Sequence, residues 1–128
     1  MIYLLDTNAV IAVMKGDEGL IALLRRHTPQ DFALSAIVMH ELWYGAGKSQ
    51  RKAENMARID ALQFPVIDFD REDARHAGDI RATLAISGTP IGSYDALIGA
   101  QARARSLTLI TRNVREFERI DGLSIETW

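Results

Sequence analysis

Three carboxylates stand in positions where an apolar side chain would be the ordinary choice. Asp6 ends the apolar run Ile2–Leu5, Glu41 lies inside the apolar stretch AIVMHELWYGA, and Asp95 opens the segment YDALIGAQARAR. Each has a plain duty open to it. Asp6 suits an N-cap, with Thr7 as the other candidate; Glu41 suits a solvent-facing acid beside His40; Asp95 suits a helix first turn. The second duty is a shared one. Acids gathered in a cleft raise one another's pKa, and a divalent cation removes that repulsion. An all-oxygen donor set favours magnesium or manganese over zinc. The chemistry such a site supports is phosphodiester hydrolysis, in which the cation activates water and stabilises developing charge.

Five further residues attach to this set. Thr7 and Asn8 flank Asp6. Thr111 and Asn113 follow a late apolar run and read either as turn formers or as members of the same edge. Glu116, three residues after Asn113, is either a solvated acid or a helper acting through a water. Arg112 either extends into solvent or touches a substrate phosphate. The histidines His27, His40 and His76 lack metal-ligand spacing and read as packed or solvated. Trp43 and Tyr44 suit a core or an interface better than base stacking.

These residues need a scaffold that brings distant segments to one edge, and the patterning supplies one. Ile2–Leu5 reads as a buried strand, followed by a helix over 8–15 closed at Gly16. Asp17 can cap a helix over 18–26 with Leu20, Leu23 and Leu24 on its apolar side. A turn at 28–31 leads to a strand over 32–35 and a helix over 36–46 capped by Ser35, its end loosened by Gly45 and Gly47. The pattern continues with a helix over 50–63, a strand over 66–68 and a long helix over 71–87 whose packed side is Ala74, Ala77, Ile80, Leu84 and Ser87. Ser93 can cap a helix over 94–105. A strand over 107–110, a short helix over 114–118 and a last strand over 123–126 complete the chain, with Trp128 covering a core edge. Strands alternating with helices predict a three-layer α/β/α sandwich on a mostly parallel sheet. In such a sheet, strand carboxyl ends and helix amino ends share an edge, which is where Asp6, Asp95, Thr111 and Asn113 fall.

Composition narrows the function classes. At 128 residues and 48% hydrophobic, one domain with a real core is expected over 1–128. The absence of cysteine excludes disulfide scaffolds, thiolate metal sites and cysteine nucleophiles. No signal-peptide pattern or membrane-length apolar run is present, so the expected home is the cytoplasm. The net charge of -2 gives no global support to nucleic-acid binding. Two local basic groups, Lys48, Arg51, Lys52 and Arg58 and the later Arg103, Arg105, Arg112, Arg115 and Arg119, fit either a basic rim or ordinary helix surfaces. No phosphate-binding G-x-x-x-x-G-K-[ST], no G-x-G-x-x-G and no G-x-S-x-G occurs.

The motifs LLDTNAVIAVMKG, SAIVMHELWYGAGKS and GTPIGSYDALIGAQARARSLTLITRNVREFERIDGL, with the terminal Trp, resemble the PIN-domain ribonucleases. The resemblance is narrowest to the VapC toxins of bacterial toxin-antitoxin pairs, and it spans nearly the whole chain. It implies a magnesium or manganese site with Asp6, Glu41 and Asp95 as its acidic ligands, and with Thr111 and Asn113 in the segment that closes the site. It departs at Asn113, where many relatives carry a fourth aspartate; an amide adds no charge there. The resemblance further implies endonucleolytic cleavage of structured RNA such as tRNA, in some compact relatives initiator tRNA, with inhibition of translation. It implies a homodimer neutralised by a cognate VapB-type antitoxin, which lays a peptide across the toxin groove. It also implies higher assembly in that complex, and promoter DNA bound only through the antitoxin. Two other readings use the same residues: a DNA or structure-specific nuclease, and a binding module whose chemistry is lost at Asn113.

Overall fold

Five short parallel strands form the middle of the molecule, in the order β3-β2-β1-β4-β5. They are β1 (Tyr3–Leu5), β2 (Phe32–Ser35), β3 (Val66–Ile67), β4 (Thr108–Ile110) and β5 (Ser124–Glu126). The computed structural model describes residues 1–128. All four residues of β2 are buried. Successive strand side chains point to opposite faces, so this sheet is covered on both. The covering helices are α1 (Thr7–Met14), α2 (Glu18–Arg25), α3 (Ala36–Gly47), α4 (Lys52–Asp60), α5 (Arg71–Ile86), α6 (Ser93–Ala104) and α7 (Val114–Phe117). The result is the three-layer α/β/α sandwich that the alternating pattern predicts. No helix is long and apolar enough to cross a membrane.

Strand order places the site. Going outward from β1, the chain runs one way through β2 and β3 and the other way through β4 and β5. The reversal therefore lies between β1 and β4, and open α/β sheets bind ligands at the carboxyl ends of the strands there. Leu5 is level with Leu34 on one side and Ile110 on the other. The next residues, Asp6, Ser35 and Thr111, thus stand side by side at the carboxyl ends of the three strands. The core beneath them is apolar, with Leu4, Leu5, Leu34, Leu109 and Ile110 fully buried.

Several local expectations are corrected. The helix expected over 50–63 is α4, Lys52–Asp60. Its start is delayed because Ser49 Oγ accepts the Arg51 N–H and the Asn55 amide, holding a turn before the helix. It ends at Asp60, where Ala61 is the C-cap and its N–H still bonds the Ala57 carbonyl. Helix α3 runs through Gly45 and ends at Gly47 instead of loosening there. Helix α6 starts at Ser93 with Gly92 as its cap, so Ser93 is not the cap and Asp95 falls in the third helical position. On α5 the buried side is Asp73, Ala77, Ile80 and Leu84, while Ala74 and Ser87 are exposed. The shift follows from Asp73, an acid drawn inward by Gln101 Nε2 at 2.9 Å and by the Arg105 guanidinium at 3.0 Å. Trp43 and Tyr44 do not reach the core and are 48% and 64% exposed.

Candidate functional site

Asp6 performs both duties that its position allows. It is the N-cap of α1, accepting the Ala9 N–H at 2.8 Å through Oδ1. Its other oxygen accepts a short hydrogen bond from the Thr111 hydroxyl across 105 residues of sequence. The carboxylate is only 4% exposed. Burial raises its pKa, the bonds from Thr111 and Ala9 pull it back, the nearby Glu41 charge adds to the rise, and the net shift is upward.

Glu41 turns inward. Thr7 donates its hydroxyl to Glu41 Oε1 at 2.8 Å, tying α3 to the start of α1. Thr111 is fully buried, and its hydroxyl oxygen also accepts the Asn113 N–H at 3.0 Å. The Asn113 side-chain amide donates a short bond to Glu116 Oε2. That bond orients Glu116 toward Asp95, whose pKa is raised from 3.8 to about 6. The causes are burial first, then the charge and hydrogen bond of Glu116, then the charges of Asp6 and Glu41. Four acids from four separate segments therefore feel one another: Asp6, Glu41, Asp95 and Glu116.

None of these four takes part in a salt bridge with Lys or Arg. The donor set is oxygen only and uncompensated, which suits a hard divalent cation. As the side chains stand, no three of them are in ready-made ligating positions. The reason is visible in the bonds just described. Each of Asp6, Glu41 and Glu116 has an oxygen engaged by Thr111, Thr7 or Asn113.

The remaining expected residues lie elsewhere. Asn8 is exposed, and no hydrogen bond joins it to the acids. Arg112 does not face the cleft. Its guanidinium lies 4.8 Å from the Trp128 ring centroid, and its charge helps to lower the Asp17 pKa, after the hydrogen bond from Leu20 N–H. The basic rim is mostly absent too. Arg103 binds Asp79 and His76, Arg105 binds Asp73, and Arg119 donates to the Pro90 carbonyl. The histidines are packed or paired: His27 against Tyr3 and Phe32, His40 against Tyr94, and His76 as the acceptor for Arg103.

One cavity was not foreseen from the sequence. A cavity of about 230 Å³ opens between α1, α3 and α4, lined by Ile11, Met14, Leu42, Ala46 and Ile59 with Arg58, and it reaches the acidic cluster at Glu41. Its signal was Ile11 and Met14, three apart on α1, only half-buried although apolar.

The PIN-domain family model matches residues 3–123 of this chain. The chain is 40% identical to the tRNA(fMet)-specific endonuclease VapC of Salmonella typhimurium, covering 98% of this chain and 97% of that one. It is 37% identical to ribonuclease VapC2 of Rickettsia felis, covering 100% and 98%. The crystal structure of DNA-bound VapBC from Salmonella typhimurium superposes with a TM-score of 0.95 at 40% identity, over 100% of this chain and 98% of that one. The chain belongs to the PIN-domain family and, within it, to the VapC ribonuclease toxins.

Proposed function

We propose that this chain is a magnesium- or manganese-dependent endoribonuclease toxin that cleaves structured RNA, with initiator tRNA as the first substrate to test. The observation that carries the proposal is the convergence of Asp6, Glu41, Asp95 and Glu116 with no cationic side chain among them, which leaves Asp95 with a pKa of about 6. Asp6, Glu41 and Asp95 would hold the cation, with Glu116 as the fourth acid. When bound, the cation supplies Lewis-acid activation of water and of the phosphoryl oxygen. The rest is positioning by the chain itself. Thr111 and the Ala9 N–H fix Asp6, Thr7 fixes Glu41, and the Asn113 amide fixes Glu116. Asn113 thus contributes by orienting an acid, which favours an active enzyme over a module whose chemistry is lost at that position.

The test is cleavage of purified tRNA, and of a matched DNA hairpin, by the antitoxin-free protein in manganese, with Asp95→Asn as control. Discrete RNA cuts that vanish in Asp95→Asn are expected. Cleavage unchanged by Asp95→Asn, or cleavage of DNA alone, would overturn the assignment.

The partner follows from the groove. A cognate VapB-type antitoxin peptide would lay apolar side chains on Ile11, Met14 and Leu42, and a basic one beside Glu41. The solved VapBC complexes of Salmonella typhimurium and Rickettsia felis are bound to DNA, the latter to a fragment of its promoter. For this chain, promoter binding would come through the antitoxin, within a higher assembly built on toxin homodimers. Arg58→Ala and Met14→Asp should weaken the toxin-antitoxin complex measured by calorimetry.

A further inference from the structure

The segment 111–113 carries two of the contacts that hold the acids, and it has no helix or strand of its own. Thr111 gives its hydroxyl to Asp6, and the Asn113 amide holds Glu116. Between them stands Arg112, exposed to solvent yet not loose. Its guanidinium lies 4.8 Å from the centroid of the Trp128 ring. Trp128 follows β5 by two residues, and β5 pairs with β4, the strand just ahead of this segment. The backbone joins the two as well: the Thr111 N–H donates to the Glu126 carbonyl at 3.1 Å. The indole is itself seated on α2. A Cβ placed on Gly19 would stand 3.6 Å from Trp128 Cδ1, so the ring lies against the first turn of that helix.

We infer that Trp128 is a positioning residue for the acidic site: by stacking on Arg112 it pins the segment that orients Asp6 and Glu116. Tryptophan offers a cation the best of the aromatic faces. Charge at the same corner supports the arrangement. Asp17, the N-cap of α2, has its pKa lowered first by the Leu20 N–H and then, against the rise from burial, by the Trp128 indole and the Arg112 charge. The indole N–H is buried and completes no full hydrogen bond, so its pull on Asp17 is electrostatic. Trp128 also packs against the core. Burial and stacking are therefore two separate contributions of one ring, and only the stacking reaches the site.

The path of contact runs from Trp128 to Arg112, then back through Thr111 to Asp6 and forward through Asn113 to Glu116. Two of the four acids thus answer to one ring outside the cluster. The consequence for a bound cation rests on the nuclease reading; the clamp itself does not. Groups that orient metal ligands from one step away typically change metal affinity 10–100-fold when lost, and Trp128 acts from further out, which puts its effect at about tenfold.

The experiment is manganese binding by the full chain, read from the electron paramagnetic resonance of the free ion, together with amide hydrogen exchange in the metal-free protein. Trp128→Leu keeps apolar bulk and removes the aromatic face, Trp128→Phe keeps a face, and Arg112→Gln removes the cation. Trp128→Leu and Arg112→Gln should each raise the manganese dissociation constant about tenfold, Trp128→Phe by no more than about threefold. The double variant Arg112→Gln/Trp128→Leu should be no weaker than either single one, because both break the same contact. Exchange at the Asn113 N–H should quicken in both single variants, while the Ile80 and Leu84 amides of α5 stay protected and report an intact fold. Losses that add in the double variant, Trp128→Phe as damaging as Trp128→Leu, or unchanged exchange at Asn113 would each overturn the inference. So would an Arg112→Gln protein that raises only the KM for RNA and binds manganese as before, since Arg112 would then act on substrate. Arg112 is exposed, so its variant decides the matter even where Trp128→Leu fails to fold. An unaltered chain that binds no manganese would sink the nuclease reading, and exchange at Asn113 would still decide the clamp.

Discussion

Replacing Asp95 by Asn should destroy activity and stabilise the metal-free protein. The magnitude follows from the acid cluster. The Asp95 carboxyl is held at about 6 against an ordinary 3.8, by burial first and by Glu116 next. At about 1.4 kcal/mol per pKa unit, keeping it ionised above pH 6 destabilises the fold by at most about 3 kcal/mol. The group is half-buried, so solvent screening reduces this to roughly 1–2 kcal/mol. The sign is that of a raised carboxyl. The folded state binds the proton more tightly than the unfolded state, so stability is lost as pH rises from about 4 to about 6 and is level above. An amide of the same shape never ionises, and its NH2 can donate to Glu116. In EDTA at pH 8, Asp95→Asn should therefore melt on the order of 5 °C above the unaltered chain. The gap should narrow toward pH 4. Manganese should reverse the ranking: at 100 times its dissociation constant it adds about 2.7 kcal/mol to the protein that binds it, and Asp95→Asn should gain little. Differential scanning calorimetry across pH 4–8, with and without metal, measures all of this. A variant no more stable than the unaltered chain at pH 8 in EDTA would refute the repulsion argument, whatever its activity.

Thr111→Val should lower stability by about 2–3 kcal/mol, because Asp6 loses a hydrogen bond in a buried site and the Asn113 N–H loses its acceptor; Thr111→Ser should remain within about 1 kcal/mol in denaturant titration. Arg105→Gln leaves Asp73 buried without its cation, at about 3 kcal/mol. Burial raises the Asp73 pKa, but the bonds from Arg105, the Asp70 backbone and Gln101 outweigh it, so the net shift is downward. The stability it contributes is present at neutral pH and is lost as pH falls below 3.8, and Arg105→Gln should flatten that acid limb. Gly99→Ala would set its Cβ 2.7 Å from Ile120 Cδ1, a clash of about 1–3 kcal/mol partly offset by better helix propensity. Ile120→Val removes that methyl, so the double variant should be more stable than additivity allows, as a denaturant double-mutant cycle would show.

The strands and helices were legible because their signals are local. The largely apolar runs at 2–5, 32–34 and 107–110 have no stable home except a sheet covered on both faces, and the caps at Asp17, Ser35 and Asp70 lie where their side chains can accept backbone N–H groups. What was missed depends on distant partners. The inward turn of Asp73 depends on Arg105, 32 residues on, and Gln101. No periodicity in α5 announces an acid on the buried face. Arg112 was misplaced for a similar reason: its sequence position puts it beside the cleft, but the flat ring of Trp128, past the last strand, gives its guanidinium a better surface than water does.

The site divides along the same line. Asp6 and Asp95 were readable because strand ends and helix starts share an edge in any parallel sheet. Glu41 was readable as an acid in an apolar helix, but its direction is set by Thr7, and only the fold brings α1 against α3. Asn113 was first read as a missing charge. In the structure its amide is spent on Glu116 Oε2, so position 113 orients an acid three residues further on. That arrangement makes a separable prediction. Asn113→Ala should leave Glu116 free to swing away and so lower the Asp95 pKa, whereas Asn113→Asp should add a fifth acid and raise it. Carbon-13 NMR titration of the Asp95 carboxyl in metal-free protein distinguishes the two, and movement in the same direction for both would mean that Asn113 is only a turn former.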